Sequence, residues 1–363
     1  MSDETPQSLE AYLAPVFSAV DTAAMSLPVA DEGHVAWWRS RFADRGGDAE
    51  SLIEALPQFQ ISIEKGASAS EAYARLIRRA EAVSEAIEPE EAFATPSGVA
   101  WSVVEHAAGA LPVVTLSERQ DFERAYRALG GRCEPIPIGP NVHALYVSGL
   151  PNPVRMREAH ASFLDSGGDP SSWPLEVQRR READATTFHD RLILLHPAAY
   201  AGIAASDVGD GLDDASWVER SMRLRLEHEF THHATHRLLG RYRLHVHDEV
   251  LADLMGFTAA IGRFDASLFL RGLGIAGEKV GSSARIHAYV AELDPNRLPE
   301  LVVFLRDLAG QVEAISSAFV GPAPEDRLRR LLHLASHSMA SLAAGDVRAS
   351  DLIPSRPETG GQP

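Results

Sequence analysis

Two histidines four residues apart, His228 and His232, with Glu229 beside the first, are the part of this sequence best suited to chemistry. On a helix that spacing is about one turn, so both imidazoles lie on one face and reach a single ion. Glu229 is rotated by roughly 100° from His228 about the helix axis. In a motif of this form it acts as general base on a water that the metal activates. Two histidines alone do not make a stable zinc site, because a catalytic one needs a third protein ligand and an open position. The segment Glu249-Val250-Leu251-Ala252-Asp253 offers two carboxylates, again four apart and on one face. If the chain turns back at Gly240 through 241–247, the two helices form a hairpin and that face meets the histidines. Glu249 then ligates the ion. Asp253 accepts a hydrogen bond from the far nitrogen of a ligand histidine and fixes its tautomer.

The pattern His228-Glu229-x-x-His232 followed by Glu249-x-x-Ala252-Asp253 resembles the zincin metallopeptidases of the gluzincin type, whose third ligand is a glutamate on the next helix. The Glu-x-x-Ala-Asp form is also similar to that of membrane-associated CAAX-type proteases, whose hydrophobic spans this chain lacks. The wider run from Arg225 to Gly256, with Leu116-Ser117-Glu118 and Asp190-Arg191-Leu192-Ile193-Leu194, looks like a family of uncharacterised bacterial proteins. The zincin resemblance implies one Zn(2+) per chain held by His228, His232 and Glu249, catalysis through Glu229, and a peptide or protein substrate. It also implies a sheet before the active-site helix, with an edge strand that holds an extended peptide by main-chain hydrogen bonds. Leu111–Leu116, Val142–Val147 or Leu192–Leu195 would supply that strand. One departure stands out: Arg225 and Glu227 flank the first histidine where such peptidases are more apolar. That predicts a helix partly exposed or paired with other charges.

Other residues near the motif have plainer readings. His236 continues the histidine stripe, but at ~1.5 Å per residue it lies about 12 Å from His228, too far to share an ion. His245 and His247, in the connecting loop, are candidates for a ligand or an oxyanion donor, or are simply loop histidines, and Tyr242 is a candidate hydrogen-bond donor to a tetrahedral intermediate. Asp248 reads as a helix N-cap. Elsewhere, Trp37-Trp38 and the run 264–273 read as core, and Cys133 as an ordinary thiol. His333 and His337 lack an acidic partner and read as structural. No Gly-x-Gly-x-x-Gly or phosphate-binding loop is present.

The elements that must position the site follow from periodicity and punctuation. Residues 1–95 read as amphipathic helices and residues 96–215 as a small α/β region. There the strands are Leu111–Leu116, Val142–Val147 and Arg191–Leu195, with a helix opened by a Ser117-x-x-Gln120 box and ended at Gly130-Gly131. From 216 to 345 the pattern is helical. A Ser216-x-x-Glu219 box starts the motif helix near Trp217, a second begins near Asp248, and others follow at 299–319 and 324–343. The tail, 346–363, is rich in Pro and Gly and reads as disordered. The expected fold class is α+β, predominantly helical.

Composition closes off several alternatives. A formal net charge of -17 over 363 residues disfavours nucleic acid and anionic membrane as partners. A single cysteine rules out an intrachain disulfide and a thiolate zinc site. No stretch suits a signal peptide or a membrane span, so the expected location is cytoplasmic. The expected function is a zinc-dependent hydrolase. The alternative is a non-catalytic metal-binding or interaction protein on the same scaffold.

Overall fold

A computed structural model describes residues 6–22, 24–83, 87–184, 186–209, 211–240 and 244–352. The chain divides into two compact units. One is residues 30–198; the other joins residues 1–29 to residues 199–363. Residues 30–95, grouped by sequence with the N-terminal helical stretch, thus belong with the sheet. The first 29 residues belong with the motif helices.

The sheet unit is built on strands β1 (Val99–Val104), β2 (Leu111–Leu116), β3 (Ala144–Pro151) and β4 (His189–Leu195) in the order β1-β2-β4-β3. β1 runs antiparallel to β2, β2 parallel to β4, and β4 antiparallel to β3. The two central strands carry the most continuous apolar runs, as strands covered on both faces do. Pro112, which has no N–H to give, sits outside the β2–β4 ladder of Val113–Thr115. Since β2 and β4 are paired on both sides, Leu111–Leu116 and Leu192–Leu195 cannot take up a peptide; the sheet edges are β1 and β3.

Helix α1 (Gly33–Arg45) lays Trp38 into this unit's core. Trp38 meets Trp101 edge-on at 5.1 Å, so of the Trp37-Trp38 pair the second is fully buried and the first only partly. Asp190, wholly buried, accepts from Trp38 Nε1 at 2.8 Å, from Asn152 Nδ2 at 2.7 Å and from Arg155. A buried carboxylate satisfied on this scale is a structural hub. The helix after β2, α2 (Arg119–Ala125), starts at Glu118 without a side-chain cap, not at the Ser117 box, and continues as a π-turn to Gly130. Helix α3 (Pro153–Asp165) is capped by Asn152, a start signal easily missed behind Pro151 and Pro153.

In the other unit, helix α4 (Asp214–Leu239) is capped by Asp213, whose carboxylate accepts from Ser216 N, in place of the Ser216 box. It ends at Gly240 in the left-handed conformation (φ 75°), the stop signal read from sequence. Helix α5 (Val246–Ile261) is capped by His245 and ends at Gly262. Val246, Val250, Leu251, Leu254 and Phe257 of α5 are fully buried. Each such side chain contributes about 1.5–3 kcal/mol against about 1 kcal/mol for a cap, so packing fixes this helix. α4 and α5 pack along one another as a hairpin. Gly256 permits the close approach: a Cβ there would lie 2.7 Å from the carbonyl oxygen of Leu224.

Helix α8 (Pro324–Ala335) packs against both helices of the hairpin, and α6 (Ala266–Gly272) packs against α7 (Leu298–Ile315). Phe264 and Phe269 are fully buried in this core. The stretch 324–343 is broken: α8 stops at Ala335 and Ser338 caps a new turn, Met339–Ala343. Within the tail called disordered, Val347 and Leu352 are buried and Ala349–Leu352 is a 3-10 turn, which corrects that expectation up to 352; the rest lies outside the described residues. The observed class is α+β, predominantly helical. No described helix is long and apolar enough to cross a membrane.

Candidate metal centre

The hairpin brings one ligand atom each of His228, His232 and Glu249 within 4.8 Å of one another. Their separations are 3.0 Å between the two Nε2 atoms, 3.6 Å from His228 Nε2 to Glu249 Oε2, and 3.5 Å from His232 Nε2 to Glu249 Oε1. Metal–ligand bonds of ~2.0–2.1 Å at tetrahedral angles separate ligand atoms by about 3.3–3.4 Å. The two nitrogens and the Glu249 carboxylate are therefore close enough together to share one small ion.

Each histidine is oriented from behind. His228 Nδ1 lies 2.8 Å from Asp253 Oδ1, and His232 Nδ1 lies 2.7 Å from Asp248 Oδ2. A carboxylate accepts only, so each Nδ1 carries the proton and each Nε2 turns a lone pair to the centre. Two lone pairs 3.0 Å apart repel unless a cation or a proton lies between them. Asp253 makes the contact to a histidine's far nitrogen that the sequence suggested. Asp248 does not: it is no N-cap, because His245 caps α5 by accepting from His247 N at 3.1 Å. Asp248 is instead the second histidine's orienting acid.

The electrostatics agree. Burial opposes a charged His232, but the carboxylates of Asp248, Glu249 and Glu229 outweigh it and push its pKa up to about 10. Burial likewise opposes an ionised Glu249, yet Arg285, His232 and His228 hold it below the usual carboxylate range. Asp253 is held low against burial by Arg285 and His228. His228, Glu229, His232 and Glu249 are each at most 8% exposed, and Asp248 and Asp253 are at 0%. So much buried charge is costly and gives stability little in return, and a cation at the centre would offset part of that cost.

Of the flanking charges before the motif, Glu227 is partly exposed and paired with another charge, whereas Arg225 is buried. Arg225 is 5% exposed and donates to the Ala199 carbonyl at 2.9 Å; burial lowers its pKa to about 10. Glu227 lies 3.5 Å from Arg327.

The proposed transition-state donors fare less well. His245 stacks on Tyr12 at 4.1 Å between ring centroids, with Nε2 3.2 Å from the Tyr12 carbonyl oxygen. It is a cap held by the N-terminal segment and does not join the donor set. His247 is wholly buried, packs near Phe17, and burial drives its pKa down to about 3. It too is outside the three-residue donor group. Tyr242 lies outside the described residues.

Sequence reasoning missed three residues. Arg285 donates to Glu249 Oε2 and lies 3.6 Å from Asp253 Oδ2. Tyr200 donates to Asp253 Oδ2 at 2.8 Å. Tyr289 accepts from Arg285 Nε at 2.7 Å. They reach the site from outside the hairpin and belong to no motif.

A family model described as a family of unknown function, DUF7005, matches residues 1–346. The chain belongs to that family. No curated protein and no solved structure matches it. Membership in DUF7005 covers both units and names no reaction, so the chemistry must be argued from the donor set. Among the described residues, His228, His232 and Glu249 are the one such group able to hold a metal ion.

Proposed function

We propose that this chain is a zinc-dependent hydrolase acting on peptide bonds, with His228, His232 and Glu249 as ligands and Glu229 as general base. The observation that carries the reading is the pair of Nε2 atoms 3.0 Å apart, each backed by a buried carboxylate and faced by Glu249. Two nitrogens and one carboxylate oxygen suit zinc in an open, three-ligand site, and structural zinc sites have four protein ligands. The order of ligands, with Glu229 following the first, is that of the gluzincin peptidases the sequence resembles.

Held by His228, His232 and Glu249, a zinc ion would supply polarisation of a substrate carbonyl and a lowered pKa of water. The chain's residues do the rest. Glu229, next to His228 and close enough to raise the pKa of His232, takes the proton of the attacking water and returns it to the leaving amine. Asp253 and Asp248 keep both imidazoles in the ligating tautomer. The low exposure of the donors keeps bulk water out, which strengthens every charge interaction at the centre.

That same burial favours a second reading, a non-catalytic metal clamp that ties α4 to α5. Glu229→Gln separates the two. Under the hydrolase reading it retains zinc and loses peptide-library hydrolysis by about 100-fold or more. Unchanged hydrolysis in this variant rejects Glu229 as the base, and none in the zinc-loaded wild type rejects the hydrolase and leaves the clamp.

A further inference from the structure

Arg285 lies thirty-six positions from Glu249 in sequence, yet its guanidinium is the closest charged partner of that ligand. The residue opens the 3-10 turn Arg285–Ala288, fixed by the fully buried Ile286 and by the bond from Ile286 N to the Leu273 carbonyl at 3.1 Å. Its three nitrogens are all engaged: Nη2 on Glu249 Oε2, Nε on Tyr289 at 2.7 Å, and Nη1 on Tyr200 at 3.4 Å. Tyr289 is itself held by its carbonyl, which accepts from Tyr12 at 3.0 Å. A planar fork held at three points does not swing.

This has two effects on Glu249. Oε2 is occupied by a guanidinium, which leaves Oε1 as the oxygen to give. Four carboxylates (Glu229, Asp248, Glu249, Asp253) are also balanced by a divalent ion together with Arg225 and Arg285, given neutral imidazoles. Without Arg285 the carboxylate would be free to chelate with both oxygens in a more negative site. Hard ions that take six or more oxygen ligands gain most from that change; a small ion that tolerates nitrogen in fourfold coordination gains least.

Resting on the zinc reading above, we propose that Arg285 is the positioning residue that sets metal selectivity. It holds Glu249 to single-oxygen donation and so discriminates against hard ions such as Mn(II). The test is competitive titration of Zn(II) and Mn(II) into chelator-treated full chain, wild type beside Arg285→Gln, Arg285→Lys and Tyr289→Phe. The visible spectrum of each Co(II)-loaded protein reports coordination number.

Arg285→Gln is expected to lower the Zn(II)/Mn(II) affinity ratio by at least about tenfold, the scale on which residues behind the ligands act. It should also weaken the Co(II) bands as coordination rises above four. Arg285→Lys, which keeps the charge, should recover part of the ratio. Tyr289→Phe, which frees one edge of the fork, should fall between Arg285→Gln and wild type. A merely structural Arg285 would weaken both ions alike, so an unchanged ratio and spectrum in a folded Arg285→Gln overturns the proposal. If that variant does not fold by circular dichroism, a wild-type ratio and spectrum in Tyr289→Phe overturns it. A wild type that takes up no ion defeats the zinc reading itself and this proposal with it, a result distinct from a loss of contrast among the variants.

Discussion

Asp248 and Asp253 lie wholly out of solvent, each on the far nitrogen of a histidine. Asparagine in either place keeps the shape but offers the imidazole a weaker acceptor. Each change is expected to weaken zinc binding about 10–100-fold, read by competition with a chromophoric chelator. A proton competes for the same centre. The His232 pKa of about 10 means that this proton is bound through the neutral range and must leave when the ion enters. Zinc affinity should therefore climb about tenfold per pH unit as pH rises toward about 10, then level off. The ion-free chain behaves in the opposite sense. A pKa raised above 6.5 adds stability that is complete below 6.5 and is lost as pH rises toward 10. His247, lowered to about 3, favours folding while neutral and costs stability as pH falls below 6.5. These two groups place the ion-free stability maximum near pH 6.5, which denaturant titrations of chelated protein across the range would test. Cys133 is fully buried and burial pushes its thiol up to about 12, so thiol reagents at neutral pH should label it only after unfolding. The cluster of His228, His232 and Glu249, with Asp253 beside it, was legible because helical spacing is local. Asp248 was misread because two adjacent acids at a helix start suit capping equally well, and only the three-dimensional partner decides. Arg285, Tyr200 and Tyr289 were invisible because nothing local ties them to the motif.

At the scale of elements, the hairpin of α4 and α5 is what makes the site. Its stop at Gly240 and its return could be read from sequence, since a left-handed glycine after a histidine-rich turn is a local signal. The caps were misplaced by one to three residues because Asp213 competes with Ser216 for the same N–H groups at α4, a histidine caps α5, and α2 starts with no side-chain cap. The closeness of the two helices depends on Gly256, and Ala there would drive a Cβ to 2.7 Å from the Leu224 carbonyl. Gly256→Ala is expected to cost about 1–3 kcal/mol by urea unfolding. It should also weaken zinc, because Glu249 and Asp253 sit on the helix that must move. A variant with wild-type stability would show that the crossing relaxes at no cost. In the sheet, alternation and apolar runs revealed β2, β3 and β4, whereas order and parallel pairing arise from contacts distant in sequence and had no local signal.

Across the whole molecule, the α+β class was readable from the change of period along the chain. The grouping of residues 1–29 with residues 199–363 was not, because a tie such as Gln7 N to the Glu292 carbonyl at 2.7 Å spans most of the sequence. If the buried carboxylates are the cost of a metal centre, the ion must repay it in global stability. At a free zinc concentration about 100 times Kd, binding adds about 2.7 kcal/mol, a rise of several degrees in Tm. That rise should vanish in Glu249→Ala. The most direct test of the central claim is the metal content of protein purified without chelator, by mass spectrometry, for wild type, His232→Ala and Glu249→Ala. The account predicts about one zinc per wild-type chain, lost or much weakened in both variants. A wild type that holds no metal, even after reconstitution with zinc, would contradict it.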